Sequence, residues 1–155
     1  MASTPTNPHL TLYIGGSKKA GESTEVDNGD IELYNVNWGA SNPVDTQTGA
    51  QMSHTSWRDV SLTKRIDKVS PEIVKAMCTN QEIKIEVKVY KPPVAGDSKD
   101  TMVYTIVAEV GRISSYSVSQ GAGGGFPTET FTVSFRKITY TVGQVSHIDD
   151  WSKKK

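Results

Sequence analysis

The sequence predicts a mainly β fold: a small, tight β-barrel of two packed antiparallel sheets, with one short α-helix and a long protruding loop. Three observations carry this expectation. Apolar residues recur at every second position in several separate runs, the period of a half-buried strand. Only 35% of the residues are hydrophobic and the chain holds 13 glycines, which suits strands that bury one face and need turns. One segment alone, near residues 70–80, carries the chemistry of a helix start and stop. At 155 residues a single domain is expected over 1–155, with 1–9 and 144–155 as flexible tails.

Leu10, Leu12 and Ile14 alternate with Thr11 and Tyr13 in a first strand that ends at Gly15-Gly16. A polar stretch with Gly21 and Asn28-Gly29 follows. Residues 31–38 (IELYNVNW) read as a second strand, apolar on both faces. Ile31 and Leu33 lie on one side, Tyr34, Val36 and Trp38 on the other, so cover is expected on both. Residues 39–56 show no periodicity and almost no large apolar side chain. A structureless loop this long is unusual in a compact domain. It is either an inert insertion or an arm that becomes ordered against another molecule.

Residues 57–66 reopen a strand, with Val60 and Leu62 on one face; Lys64-Arg65 and Asp67-Lys68 read as its solvated end. Ser70-Pro71-Glu72 then starts a helix. Ser70 can cap a free N–H, Pro71 has none to lose, and Glu72 sits at the positive end of the dipole. Ile73, Val74 and Met77 supply an apolar side, Cys78 reads as a small core residue, and Thr79-Asn80 ends the run. About two turns of helix do not hold alone in water, so this one must dock on a sheet.

Ile83, Ile85, Val87 and Val89 alternate with Lys84, Glu86 and Lys88 until Lys91-Pro92-Pro93 stops the strand. Residues 102–110 return, and 113–118 either continue that strand or pair with it. In residues 128–142, Phe131, Val133 and Phe135 share one face, after which Ile138, Tyr140 and Val142 carry the apolar side. Side chains on a strand alternate strictly, so this change of phase requires a bulge or a crossing near Arg136-Lys137.

Charge excludes several functions. Lys+Arg and Asp+Glu number 17 each, so no basic field exists to gather nucleic acid. Zero net charge does little to keep copies of the chain apart. One cysteine allows neither an intrachain disulfide nor a cysteine-based metal site. His9, His54 and His147 have no metal-ligand spacing and read as solvated. The glycine-rich residues 121–125 lack the lysine and the following helix that a phosphate loop requires. Asp149-Asp150 adjoin on an expected tail and do not present paired carboxylates, and residues 153–155 are too short a basic run for nucleic acid. No catalytic, cofactor-binding or metal-binding residue is therefore assigned, and no enzyme is expected. No run approaches membrane-spanning length, and residues 1–8 lack the apolar core of a signal peptide. Synthesis in the cytoplasm is expected, with no Sec signal if the protein is exported.

Several separate motifs, in order, resemble the haemolysin-coregulated protein family. They are Gly21-Glu22-Ser23, residues 31–33 running to Trp38-Gly39, residues 59–64 (DVSLTK), Ile66-Asp67-Lys68, Ser70-Pro71, residues 113–118 (ISSYSV), and residues 127–131 (PTETF). The resemblance covers roughly residues 10–142. It implies a structural subunit of the type VI secretion inner tube. Subunits of that family form hexameric rings that stack into an expelled tube, whose lumen also carries small effector proteins. Implied partners are further copies of the chain, the spike, sheath and baseplate proteins, and effectors. The implied location is the bacterial cytoplasm during assembly, then secretion through the apparatus. Trp38, Asn42, Pro43, Val44, Met52, His54 and Trp57 are the candidate arm residues for subunit contacts. Asn35 and Asn37 are the candidate lumen residues. A tube protein of another phage-tail-like contractile particle is the alternative.

Overall fold

The structure, a computed structural model, describes residues 7–19, 30–51, 54–91, 101–121, 123 and 125–151. Strands β1 (His9–Ile14) and β2 (Ser17–Lys19) form a hairpin in which Ile14 faces Ser17. Gly15 (φ +60°) and Gly16 (φ +88°) form its two-residue turn. Two positive φ values in succession match the right-handed twist of the flanking strands, and glycine adopts them without strain. Next come β3 (Ile31–Glu32), β4 (Asn35–Asn37), β5 (Ala40–Ser41), β6 (Ser56–Trp57) and β7 (Val60–Arg65). Helix α1 (Ser70–Cys78) is followed by β8 (Ile83–Lys91), β9 (Thr101–Ser119), β10 (Thr128–Ser134), β11 (Lys137–Val142) and β12 (Val145–Asp150).

Ten strands share one folded ladder, and β5–β6 form a separate pair. The ladder does not close into a barrel. It folds into two layers: sheet A (β2-β1-β8-β9-β11-β12, with β3 beside β1) and sheet B (β9-β10-β7-β4). Leu10, Leu12, Ile85, Val87, Ile106, Ala108 and Ile138 of sheet A pack in one cluster with Val60, Leu62, Phe131 and Val133 of sheet B. This is the period-2 apolar set of the sequence, and each member is fully buried or nearly so.

Corner strands join the layers. The 19 residues of β9 pair with β8 and β11 through its first half and with β10 through its second, so residues 113–118 continue the strand. The turn between sheets falls at Val110, which takes φ +54°, and at buried Gly111. Positive φ is costly for a β-branched residue, so the corner itself must hold Val110 there. The phase change near Arg136-Lys137 is the second corner: β10 lies in sheet B and β11 in sheet A, with Arg136 N–H bonded to Glu109 O at 3.2 Å.

A third corner corrects the reading of residues 31–38 as one strand covered on both sides. Leu33 N–H donates to Pro8 O in one layer (2.8 Å), and Tyr34 N–H donates to Thr63 O in the other (2.7 Å). The break between them turns both apolar phases toward one core. Ile31 and Leu33 are buried, Val36 and Trp38 pack against the core, and Tyr34 is left exposed.

The expected tails also need correction. His9 begins β1 and is buried against Tyr90, with ring centroids 4.8 Å apart. Residues 145–150 form β12, paired along β11 through a turn begun by Gly143 (φ +60°). Trp151 N–H donates to Arg136 O at 3.0 Å and its ring packs on the core. Residues 1–6 and 152–155 lie outside the described part.

Helix α1 ends as expected. Asn80 takes φ +54°, Gln81 N–H donates to Ala76 O, and Asn80 N–H to Met77 O: together a Schellman cap. Its start differs, because Ser70 does not cap but turns its hydroxyl into the protein. Ile73 and Ala76 face the sheets, whereas Cys78 is exposed rather than a core residue.

Candidate functional site

The outward face of sheet B is an unbroken polar surface four strands wide. Strand registers align Asn35, Thr63, Thr130 and Ser117 in one row, and Asn37, Ser61, Thr132 and Ser115 in the next. Alternation dictates this: Leu62, Phe131 and Val133 point into the core, so their neighbours point out. Hydroxyls bond across the strands, Thr63 with Thr130 at 3.0 Å and Thr132 with both Ser114 and Ser115 at 2.6 Å. Neither row contains a charge or a large apolar side chain. The outward face of sheet A, in contrast, carries ion pairs from Lys84 (3.5 Å) and Lys137 (3.3 Å) to Glu109. Asn35 and Asn37 thus form the edge of a surface whose Ser and Thr members escaped the sequence reading. Their signal was there, as polar residues between the apolar ones of three separate strands.

Residues 39–51 and 54–56 are more ordered than an aperiodic loop. Pairing of β5 with β6 and a Val44–Gln51 bridge make them a ribbon closed by a tight turn. Asp45 N–H donates to Ala50 O (2.8 Å) and Gly49 N–H to Asp45 O (2.7 Å). Asn42 Oδ1 accepts from Thr55 Oγ1 at 2.6 Å. Pro43, Val44 and His54 are exposed. Met52 lies outside the described residues.

At the base of this arm the chain's three tryptophans meet. Trp57 stacks with Trp151 (6.4 Å, 5° between planes) and Trp38 (6.5 Å, 18°), and contacts Phe135 at 6.2 Å. Trp38 meets Tyr140 edge-on at 4.9 Å and donates its Nε1–H to Tyr104 Oη at 3.2 Å. Trp57 Nε1–H donates to Asp149 Oδ2 at 2.9 Å, which gives that carboxylate a fixed role instead of a place on a tail. Trp38 and Trp57 therefore seal the core and anchor the arm, while Asn42, Pro43 and Val44 belong to the projecting part. Val142, Val145 and Ile148 of the β11–β12 hairpin are exposed apolar groups, the last two on edge strand β12.

A second cluster is buried beneath α1. Lys64, expected to be solvated, is fully enclosed. Its Nζ bonds Glu129 Oε1 at 2.5 Å, Asp67 Oδ1 at 2.7 Å and Arg65 O at 3.0 Å. Ser70 Oγ donates to Glu129 Oε1 (2.8 Å) and accepts from Asp67 N–H (3.0 Å), and Tyr116 Oη donates to Glu129 Oε2. Burial first, then the bond to Glu129, pushes the Tyr116 phenol well above its usual range. The cluster clamps the start of α1 to β7 and β10. Lys64 continues the inward phase of Val60 and Leu62, which is the signal that placed it inside. Among the described residues no group of three or more His, Cys, Asp or Glu could hold a metal ion.

Residues 12–142 match the family model described as type VI secretion system effector, Hcp. The chain belongs to the Hcp family. Hcp proteins are type VI secretion tube proteins of β-rich structural type. No curated protein sequence matches the chain. Among solved structures, the crystal structure of an Hcp protein superposes with a TM-score of 0.81 at 18% identity, covering 95% of this chain and all (100%) of that one. Hcp1 of the E. coli EAEC 042 pathovar, in a mutant form, gives 0.81 at 24% identity, covering 95% and 99%. The secreted protein Hcp3 of Pseudomonas aeruginosa gives 0.73 at 20%, covering 93% and 99%. The two-layer fold is thus kept at low identity across nearly the whole chain. Among the described residues no helix is long and apolar enough to cross a membrane.

Proposed function

We propose that this Hcp chain closes into hexameric rings that stack into the expelled tube, with the outward face of sheet B lining the lumen. The observation that carries the proposal is the pair of uncharged rows running from Asn35 to Ser117 and from Asn37 to Ser115. Such a wall stays wet yet offers passengers neither a hydrophobic nor a strongly charged trap. A closed ring is a head-to-tail assembly and needs two different complementary surfaces. Edge strand β12, with Val145 and Ile148 exposed on its two faces, supplies one, and the outer edge of β4 supplies a surface for the other. The arm, with Asn42, Pro43, Val44 and His54 exposed, reaches an adjacent copy. Spike, sheath and baseplate proteins are the further partners, small effector proteins the passengers, and the assembled apparatus the route of export.

Replacing residues 43–51 by a short glycine-serine link tests the role of the arm. The link leaves the aromatic base intact, so the melting temperature is expected to stay within about 3 °C of wild type. Assembly, followed by light scattering and electron microscopy, is expected to fall sharply. Loss of the cooperative melt would show instead that the arm belongs to the core.

A further inference from the structure

We infer that the outward face of sheet B takes protein passengers through neutral hydrogen-bonding contacts and does not select them by the sign of their charge. The inference rests on the reading of this face as the lumen wall. Asn35, Asn37 and the serines and threonines beside them both donate and accept hydrogen bonds, so they suit cationic and anionic surfaces equally. Part of that capacity is already used between strands, at Thr63–Thr130 and around Thr132, which weakens any single contact with a passenger. Asp59, Arg65 and Arg112 sit at the two ends of the face, outside both uncharged rows, and carry both signs. Asp59 accepts from Ser114 Oγ at 2.5 Å, the Arg65 guanidinium lies 3.7 Å over the Phe126 ring, and Arg112 donates to Gly111 O at 2.8 Å. A wall charged along its length would instead hold one sign and repel the other.

The test uses assembled rings and one small folded domain made in a cationic and an anionic surface variant. A heavy-atom maleimide on Ser117→Cys, imaged by electron microscopy, first locates the face, and a label outside the ring overturns the lumen reading itself. With the label inside, wild-type rings are expected to retain both variants within about twofold of each other, at about 0.05 M and about 0.5 M salt alike. Thr130→Lys rings are expected to favour the anionic variant by more than about fivefold at low salt and to lose that preference at high salt. Ser117→Lys replaces Thr130→Lys if the latter does not assemble. Wild-type rings that retain neither variant, or that favour one sign by more than about fivefold in a salt-dependent way, overturn the inference and leave the lumen reading standing.

Discussion

Lys64→Met is expected to destabilise the protein by about 3–5 kcal/mol, because it leaves Glu129 and Asp67 side by side with their shared cation gone. The Glu129 side chain is 0% exposed and has no water to turn to. Its remaining donors are the hydroxyls of Ser70 and Tyr116, too weak to replace an ammonium group. The double variant Lys64→Met/Glu129→Leu removes the charge problem together with the pair and is expected to recover most of the loss. Urea midpoints of the single and double variants decide the matter. A single variant within about 0.5 kcal/mol of wild type would mean that the cluster does not clamp α1.

Gly111→Ala is expected to cost about 1–3 kcal/mol or more for a different reason. A Cβ there would lie 2.9 Å from Ser134 O, 3.0 Å from Ile83 O and 3.0 Å from Val133 Cγ1. Two of the three are backbone carbonyls of β10 and β8, so relief requires moving both partners of β9 at its corner. Gly121→Ala is the control: a Cβ there meets nothing within 4 Å, and the change is expected to stay within about 0.5 kcal/mol. Equal urea midpoints for the two variants would contradict the close approach at the corner.

Much of this fold could be read from alternation alone, since a buried layer repeats its apolar set every second residue. The same rule located the corner between Phe135 and Ile138 by its change of phase. It misled at residues 31–38, where a break between Leu33 and Tyr34 sends one apolar run into two layers. A local pattern cannot separate two covered faces from one core reached by a turn. Lys64 was misread because its type outweighed its position, although it continues the inward phase of Val60 and Leu62. Strand β12 was missed because Val145, His147 and Ile148 lie on an edge and are exposed, so nothing alternates visibly. The face proposed for the lumen was half legible. Asn35 and Asn37 stood out on one strand, but their neighbours Thr63, Thr130 and Ser117 come from strands far apart in sequence and meet only through register.

This chain is expected to build a ring around the outward face of sheet B. Native mass spectrometry of the purified protein at micromolar concentration, with negative-stain images of the same sample, tests it most directly. The expected result is a discrete species of about six times the chain mass, seen as rings with an open centre. A single species at the chain mass, with no rings in the images, would contradict it.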